Sequence, residues 1–242
     1  MKFNAEAALM LLAWGLYIFD SARLLSGNEA IMRSCGQGWQ AVFGSNRWKI
    51  RGKEPYIPNP LTPYVQMYVL QWDFVRVGGQ EQGDGALKKR PEFSSFTPFV
   101  ILSALCLFVL LPIGLYTRAG VWAALPAVMT MYLSNVAALV TLARRRRVLG
   151  LTPSQYWGLV VECLTCPPFA INLIRRLCAL QPVKEDFVAA SARVLPEEAL
   201  TEVNTQCRLR LDEQIDYADD AGSRMQTLVA ARARFAAEEA PS

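Results

Sequence analysis

The chain has 242 residues, 52 % of them hydrophobic, and a mean hydropathy of +0.19, more apolar than a soluble domain of this size, with the excess gathered in four runs. It contains no histidine, which excludes Ser-His-Asp and Cys-His catalysis, His-ligated zinc and a proximal-His haem. The net charge of +4 is uneven: residues 1–179 carry 18 Lys+Arg against 9 Asp+Glu and residues 180–242 carry 7 against 12, a basic part flanking apolar runs and then an acidic tail, which fits a membrane surface and not nucleic acid.

Residues 1–25 are expected to form a signal-anchor transmembrane helix. The apolar run Ala7 to Phe19 extends to Leu25; the leading Lys2 and Glu6 do not make a basic n-region, and no A-x-A-like site follows, so the segment is read as uncleaved. Asp20 and Arg23 stand three residues apart and are expected to pair at the interface.

Residues 26–96 are expected to hold a small cytoplasmic antiparallel β element and a linker. Trp39 to Phe43 alternates, Gly44-Ser45-Asn46 signals a turn, and Arg47 to Arg51 alternates again, with Trp48 and Ile50 on one face and Arg47, Lys49 and Arg51 on the other. The basic face suits anionic headgroups or plain solvation. The Pro-rich stretch Tyr56 to Pro63 is extended, and Tyr64 to Arg76 makes a long aromatic strand. Three such strands need a cover, from membrane-proximal helices or a partner. Gly78 to Lys89 is polar and Gly-rich, a flexible linker.

Residues 97–143 are expected to be a transmembrane hairpin. Pro98 to Tyr116 and Val121 to Ala143 are uncharged runs of 19 and 23 residues, separated only by Thr117 to Gly120. Ala123/Ala127 and Ser134/Ala138 give small-residue spacing, and packing within the hairpin is favoured over a contact with another chain. Lys88, Lys89 and Arg90 precede the hairpin and Arg144, Arg145, Arg146 and Arg147 follow it, while its tip carries only Arg118; by the positive-inside rule both flanks are cytoplasmic. The protein N-terminus then lies outside and the C-terminus inside.

Residues 144–181 combine this basic flank with an interfacial or re-entrant helix pair. Thr152-Pro153-Ser154-Gln155 is a helix start with Thr152 as N-cap and Gln155 closing a capping box; the helix runs to Thr165, Pro167-Pro168 interrupts it, and a second helix covers Phe169 to Leu180. Residues 182–242 form an acidic cytoplasmic helical tail: Val183–Leu195, then Glu197–Tyr217 with an apolar stripe of Leu200, Val203, Cys207, Leu211 and Ile215, a break at Asp219 to Gly222, and an Ala-rich helix from Arg224 to Glu239.

The sharpest chemical candidate is the CxxC pair Cys163 and Cys166, a possible dithiol. Its place at a helix end withholds the dipole stabilisation a thiolate gets at a helix start, and Glu162 beside it raises a thiol pKa. Glu162 and Asn135 are candidates for an ion or proton site in an apolar setting, with pairing of Glu162 to a nearby arginine as the simpler reading. Gly52-Lys53-Glu54 lacks the GxxxxGK[ST] spacing and no helix follows it, so a phosphate loop is rejected. No residue set points to a metal or a cofactor.

The sequence therefore describes an α-helical integral membrane protein with three transmembrane helices, the second and third a tight hairpin, plus a small antiparallel β element and a helical tail. The expected role is interaction and not catalysis: a multi-pass membrane subunit or scaffold of a bacterial inner membrane, held in the lipid bilayer. It would engage a protein partner, or a second copy of itself, through its transmembrane and C-terminal helices. The alternatives are a membrane-bound thiol/redox protein using Cys163 and Cys166, and a component of an oligomeric transporter or channel.

Overall fold

The computed structural model describes residues 5–45, 47–72, 86–116, 121–216, 226 and 228–232. The chain forms two compact units, each assembled from three separate stretches: residues 1–22, 57–66 and 89–180 in the first, residues 23–56, 67–88 and 181–242 in the second.

The first unit is helical. It contains α1 (Ala5–Ser21), α2 (Thr97–Leu105), a π-helical turn (Cys106–Leu110), α3 (Leu111–Tyr116), α4 (Val121–Arg145), α5 (Pro153–Thr165), α6 (Pro167–Ile171) and α7 (Leu173–Ala179). Two helices are long and apolar enough to cross a membrane, Pro91–Tyr116 and Ala124–Arg145, and only 28 % and 39 % of their apolar windows is buried inside the protein. A core helix of a soluble protein is mostly covered; these are not. The expected third span is not among those found in the described residues: α1 has 17 residues.

Sequence chemistry shapes this unit in detail. In the π turn the Leu111 N–H donates to the Cys106 carbonyl, so the next carbonyl in that pattern, Leu107, looks to residue 112, a proline without an N–H. The Trp14 indole of α1 donates to it instead, at 3.4 Å. One stripe of α4 is buried: Ala124, Ala127, Met131, Ser134, Asn135, Ala138 and Leu142 recur at three- and four-residue spacing, and α4 packs along α2, the π turn and α3. Ala127, Ser134 and Ala138 thus serve packing inside this unit, while the Ala123 side chain lies outside the described residues. The hairpin tip, with Arg118, lies outside the described residues. The capping box of α5 forms as expected, with the Gln155 N–H donating to Thr152 Oγ1 at 3.2 Å and Thr152 N–H to Gln155 Oε1 at 3.0 Å. The helix after Pro167 is broken once more, at Asn172, into α6 and α7.

The second unit is mixed. Strands β1 (Arg23–Leu25) and β4 (Glu54–Tyr56) pair antiparallel, and β2 (Glu29–Cys35) sits between β3 (Gly38–Val42) and β5 (Met67–Gln71), both antiparallel to it. The β2–β3 hairpin closes on Gly36 at φ 51°, a conformation that a two-residue hairpin turn demands. Helices α8 (Phe187–Val194) and α9 (Glu197–Asp216) pack on β3 and on each other. Phe43, Trp72 and Phe187 form an aromatic knot with centroids 5.4–5.9 Å apart, and Ile31, Met32, Leu70, Val203, Cys207 and Leu211 of the same unit are buried.

Two expectations are corrected here. Residues 47–51 are not a strand: Ile50 and Lys53 bridge across a tight turn. The sheet also needs no outside cover on this face, because the tail helices supply it. Of the strand expected over Tyr64 to Arg76, Met67–Gln71 is strand and residues 73–76 lie outside the described residues, as do 78–85 of the linker and 217–225, 227 and 233–242 of the tail.

Candidate functional site

Three groupings collect the polar and reactive side chains. The first, in the helical unit, lies where α1 meets α6 and α7. Arg175 is 3 % exposed and its guanidinium donates to five acceptors: Tyr17 Oη (3.4 Å), Ser21 Oγ (3.2 Å), Asn172 Oδ1 (3.1 Å) and the carbonyls of Asn59 (2.8 Å) and Thr62 (3.1 Å). Tyr17 in turn donates to the Pro60 carbonyl at 3.0 Å. The planar fork of arginine suits such a multi-point clamp, and it fixes the Pro-rich segment to the helices. Beside it, Arg176 pairs with both Asp20 and Glu162, and Asn172 Nδ2 donates to Asp20 Oδ2 at 2.9 Å. Asp20 thus takes Arg176, not Arg23, as its ionic partner, and Glu162 has the arginine that the simpler reading assigns it. Asn135 is buried, accepts from Ser103 Oγ at 3.1 Å and donates to the Pro167 carbonyl at 3.4 Å. Among the described residues it shares no hydrogen bond with Asp20, Arg176 or Glu162.

Cys163 and Cys166 are both free thiols. Cys166 ends α5 and opens α6, a helix of five residues. Burial pushes the Cys163 thiol up to about 12, with Asp20 adding to it. Burial also raises Cys166, against the lowering effect of the Phe169 N–H. Neither thiol is poised as a nucleophile at neutral pH.

The basic flanks differ in environment. Lys88 is exposed, while Lys89 and Arg90 are half-buried and Gln66 brackets the Arg90 backbone, accepting from its N–H at 3.0 Å and donating to its carbonyl at 2.8 Å. Arg144, Arg145 and Arg147 are exposed, and Arg146 is half-buried, donating to the Leu151 carbonyl at 3.3 Å.

The third grouping is a projecting loop of the second unit. Ser45 and every residue from Arg47 to Lys53 is exposed, including Trp48 at 73 % and Ile50 at 49 %. At its tip Ile50 and Lys53 exchange backbone hydrogen bonds of 2.8 and 3.0 Å around Arg51 (φ 52°) and Gly52 (φ 76°). Two positive φ values define a type I′ turn; glycine takes one freely, whereas Arg51 holds the other at a steric cost. The base of the loop is rigid. Glu54 and Arg210 are buried with Arg210 Nη2 2.8 Å from Glu54 Oε2 and 3.2 Å from the Gly44 carbonyl, and the guanidinium lies 4.5 Å over the Phe43 ring. Lys49 is tethered to Glu213 of α9.

Sequence reasoning found Glu162 and the thiols but missed Arg175, Asn172 and Arg210. A visible signal existed for the first two: Asn172 and Arg175 lie three apart in the run 169–180, apolar but for these two and Arg176, where unpaired polar groups are costly. No protein-family model, curated protein or solved structure matches the chain.

Proposed function

We propose that this chain is a multi-pass protein of a bacterial inner membrane that works by interaction, as a membrane subunit or scaffold, with the loop 45–53 as its contact element for a protein partner. The observation that carries the reading is that loop. A tryptophan and an isoleucine stand in solvent beside Arg47, Arg51 and Lys53, on a turn that spends steric strain at Arg51 to hold its shape. Trp and Arg dominate the energetics of protein interfaces, and a preformed loop loses little entropy on binding. Backbone strain at an exposed tip has no evident role in folding, which favours function.

The membrane part of the reading is supported by the apolar residues that α2, the π turn, α3 and α4 leave exposed, among them Ile101, Leu105, Val109, Ile113, Leu125, Met129, Leu133 and Val140. Such a belt is stable in lipid and a liability in water. On this reading α1 is a third, short anchor. Lys88, Lys89 and Arg90 before the hairpin and Arg144 to Arg147 after it argue for cytoplasmic flanks, an outer N-terminus and a cytoplasmic C-terminus. The second unit then faces the cytoplasm.

The test is a pull-down of the tagged full-length protein in mild detergent, beside a Trp48→Ser/Ile50→Ser variant. A stoichiometric partner retained by the wild type and lost by the variant supports the proposal. A partner that binds both equally removes the loop from the reading, and a wild type that is purified alone and monomeric removes the scaffold role.

A further inference from the structure

We propose that α5 and the arginines closing α4 form a docking surface for anionic phospholipid headgroups; the inference rests on the membrane reading above and deepens it. Helix α5 is apolar over more than half of its circumference. Leu159, Val160 and Cys163 are buried against the rest of the unit. Trp157, Val161 and Leu164, spaced by four and three residues, form a second ridge that is 60 %, 57 % and 41 % exposed. Gly158, Glu162 and Thr165 lie on the remaining face, with Glu162 paired to Arg176. A surface helix of a soluble unit carries one apolar stripe and a polar remainder; a second ridge needs an apolar solvent of its own.

The neighbouring elements say which solvent. The start of α5 is tied to the end of α4, with Leu149 N–H donating to the Arg145 carbonyl at 2.9 Å and Leu151 N–H to the Arg146 carbonyl at 3.1 Å. Pro167, the first residue of α6 and two past the end of α5, accepts from Asn135, which lies ten residues and about 15 Å before Arg145 along α4. Helix α5 therefore runs back beside α4, whose Leu133, Val136 and Val140 are likewise exposed. A tryptophan near the polar end of such a ridge matches the headgroup level of a bilayer.

The charge is complementary to an anionic surface. Arg144, Arg145 and Arg147 are exposed, and among the described residues none of them has a side-chain ion pair or hydrogen bond. Arg146 is used differently: its guanidinium lies 5.8 Å over the Tyr156 ring and holds the 146–151 turn onto α5. Three uncompensated guanidinium forks beside an apolar ridge suit phosphodiester groups whose acyl chains lie along α5.

The test uses the full-length protein in mild detergent, offered equal amounts of phosphatidylglycerol and phosphatidylcholine, with retained lipid read by native mass spectrometry. The wild type is expected to retain phosphatidylglycerol by about tenfold over phosphatidylcholine. Arg144→Gln/Arg145→Gln/Arg147→Gln should bring that ratio near one without changing the circular dichroism, and Trp157→Ser/Val161→Ser should lower retention of both lipids. Equal retention of the two lipids by the wild type, or an unchanged preference in the triple variant, overturns the inference. The membrane reading is checked apart, by carbonate extraction of cell membranes: release of the protein into the soluble fraction overturns both, while a protein that resists extraction but ignores lipid charge overturns the lipid inference alone.

Discussion

Glu54 and Arg210 show how one pair of residues sets a local structure. Both side chains are 2 % exposed, so their charges are withdrawn from water; they depend on each other, and Arg210 also donates to the Gly44 carbonyl and to Gln206 Oε1 at 3.0 Å. Removing one partner leaves a buried charge uncompensated, at about 3–5 kcal/mol, whereas replacing both by apolar residues of similar size removes the desolvation cost as well. Glu54→Met and Arg210→Met are each expected to lower the thermal midpoint of the full chain in detergent markedly, and the double variant to lower it less than either. A double variant as unstable as the sum of the singles would mean that the pair is not coupled. Gly44 belongs to the same site: a Cβ there would stand 2.9 Å from Glu54 Oε2 and 3.1 Å from the Glu54 carbonyl, so Gly44→Ala should also destabilise. The thiols give a second prediction at this scale. Burial pushes both Cys163 and Cys207 up to about 12, so almost no thiolate forms at pH 8. Maleimide labelling of the native protein should modify exposed Cys35 readily and leave Cys163 and Cys207 unmodified until denaturant is added. Rapid labelling of native Cys163 would reopen the redox alternative.

Helix α8 is held by electrostatics as well as by Phe187. Asp186 caps it, accepting from the N–H groups of Val188 and Ala189 at 2.9 and 3.2 Å. Glu185, just before, accepts from Arg193 at 2.7 Å and from the Leu87 N–H at 2.7 Å, while Arg193 also donates to the Leu87 carbonyl at 3.0 Å. Burial alone would raise the Glu185 carboxyl, but the bonds from Arg193 and Leu87 outweigh it and the folded value lies below the ordinary one. A depressed carboxylate stabilises the fold above its unfolded pKa of about 4.3, and that stabilisation is lost as pH falls through the lower folded value. Glu185→Gln should therefore lower the unfolding midpoint at pH 7, with the gap to wild type closing as pH falls below about 4; a gap independent of pH would show that the side chain acts only by shape. How legible an element is in sequence depends on where its partners lie. Thr152-Pro153-Ser154-Gln155 specifies the start of α5 from within four residues, and it is found as expected. Strand β2 carries no alternation because Ala30, Ile31 and Met32 are all buried between two neighbours, so a period-two search passes over it. The alternation of 47–51 is real but idle, since both faces stand in solvent. Arg175 bonds across 116 and 158 residues of sequence, a distance at which no local pattern reports.

At the scale of the whole chain, the order of segments matters more than their composition. Composition divides the chain into apolar helices, a β region and an acidic tail, and the tail looks like a detachable arm. The contacts divide it differently: residues 181–242 belong with residues 23–56 and 67–88 in one unit. Phe187, Ala190, Val203, Cys207 and Leu211 of the tail are buried there, Phe187 within 5.5 Å of the Phe43 ring, and Arg210 neutralises Glu54. Deleting the tail would strip the sheet of its helical cover and leave Glu54 as a lone buried carboxylate, a combination well beyond the 5–15 kcal/mol that a typical domain has in hand. A truncated chain ending at Leu180 is therefore expected to keep the helical unit but lose the folded β region, so that trypsin cuts within residues 23–56 far faster than in the intact protein, at sites such as Arg33 that lie in strands. Unchanged cleavage of that segment would mean the sheet folds without the tail. If instead the segment opens, loss of a partner on deleting the tail says nothing about where the partner binds, and only point changes in loop 45–53 can assign the contact.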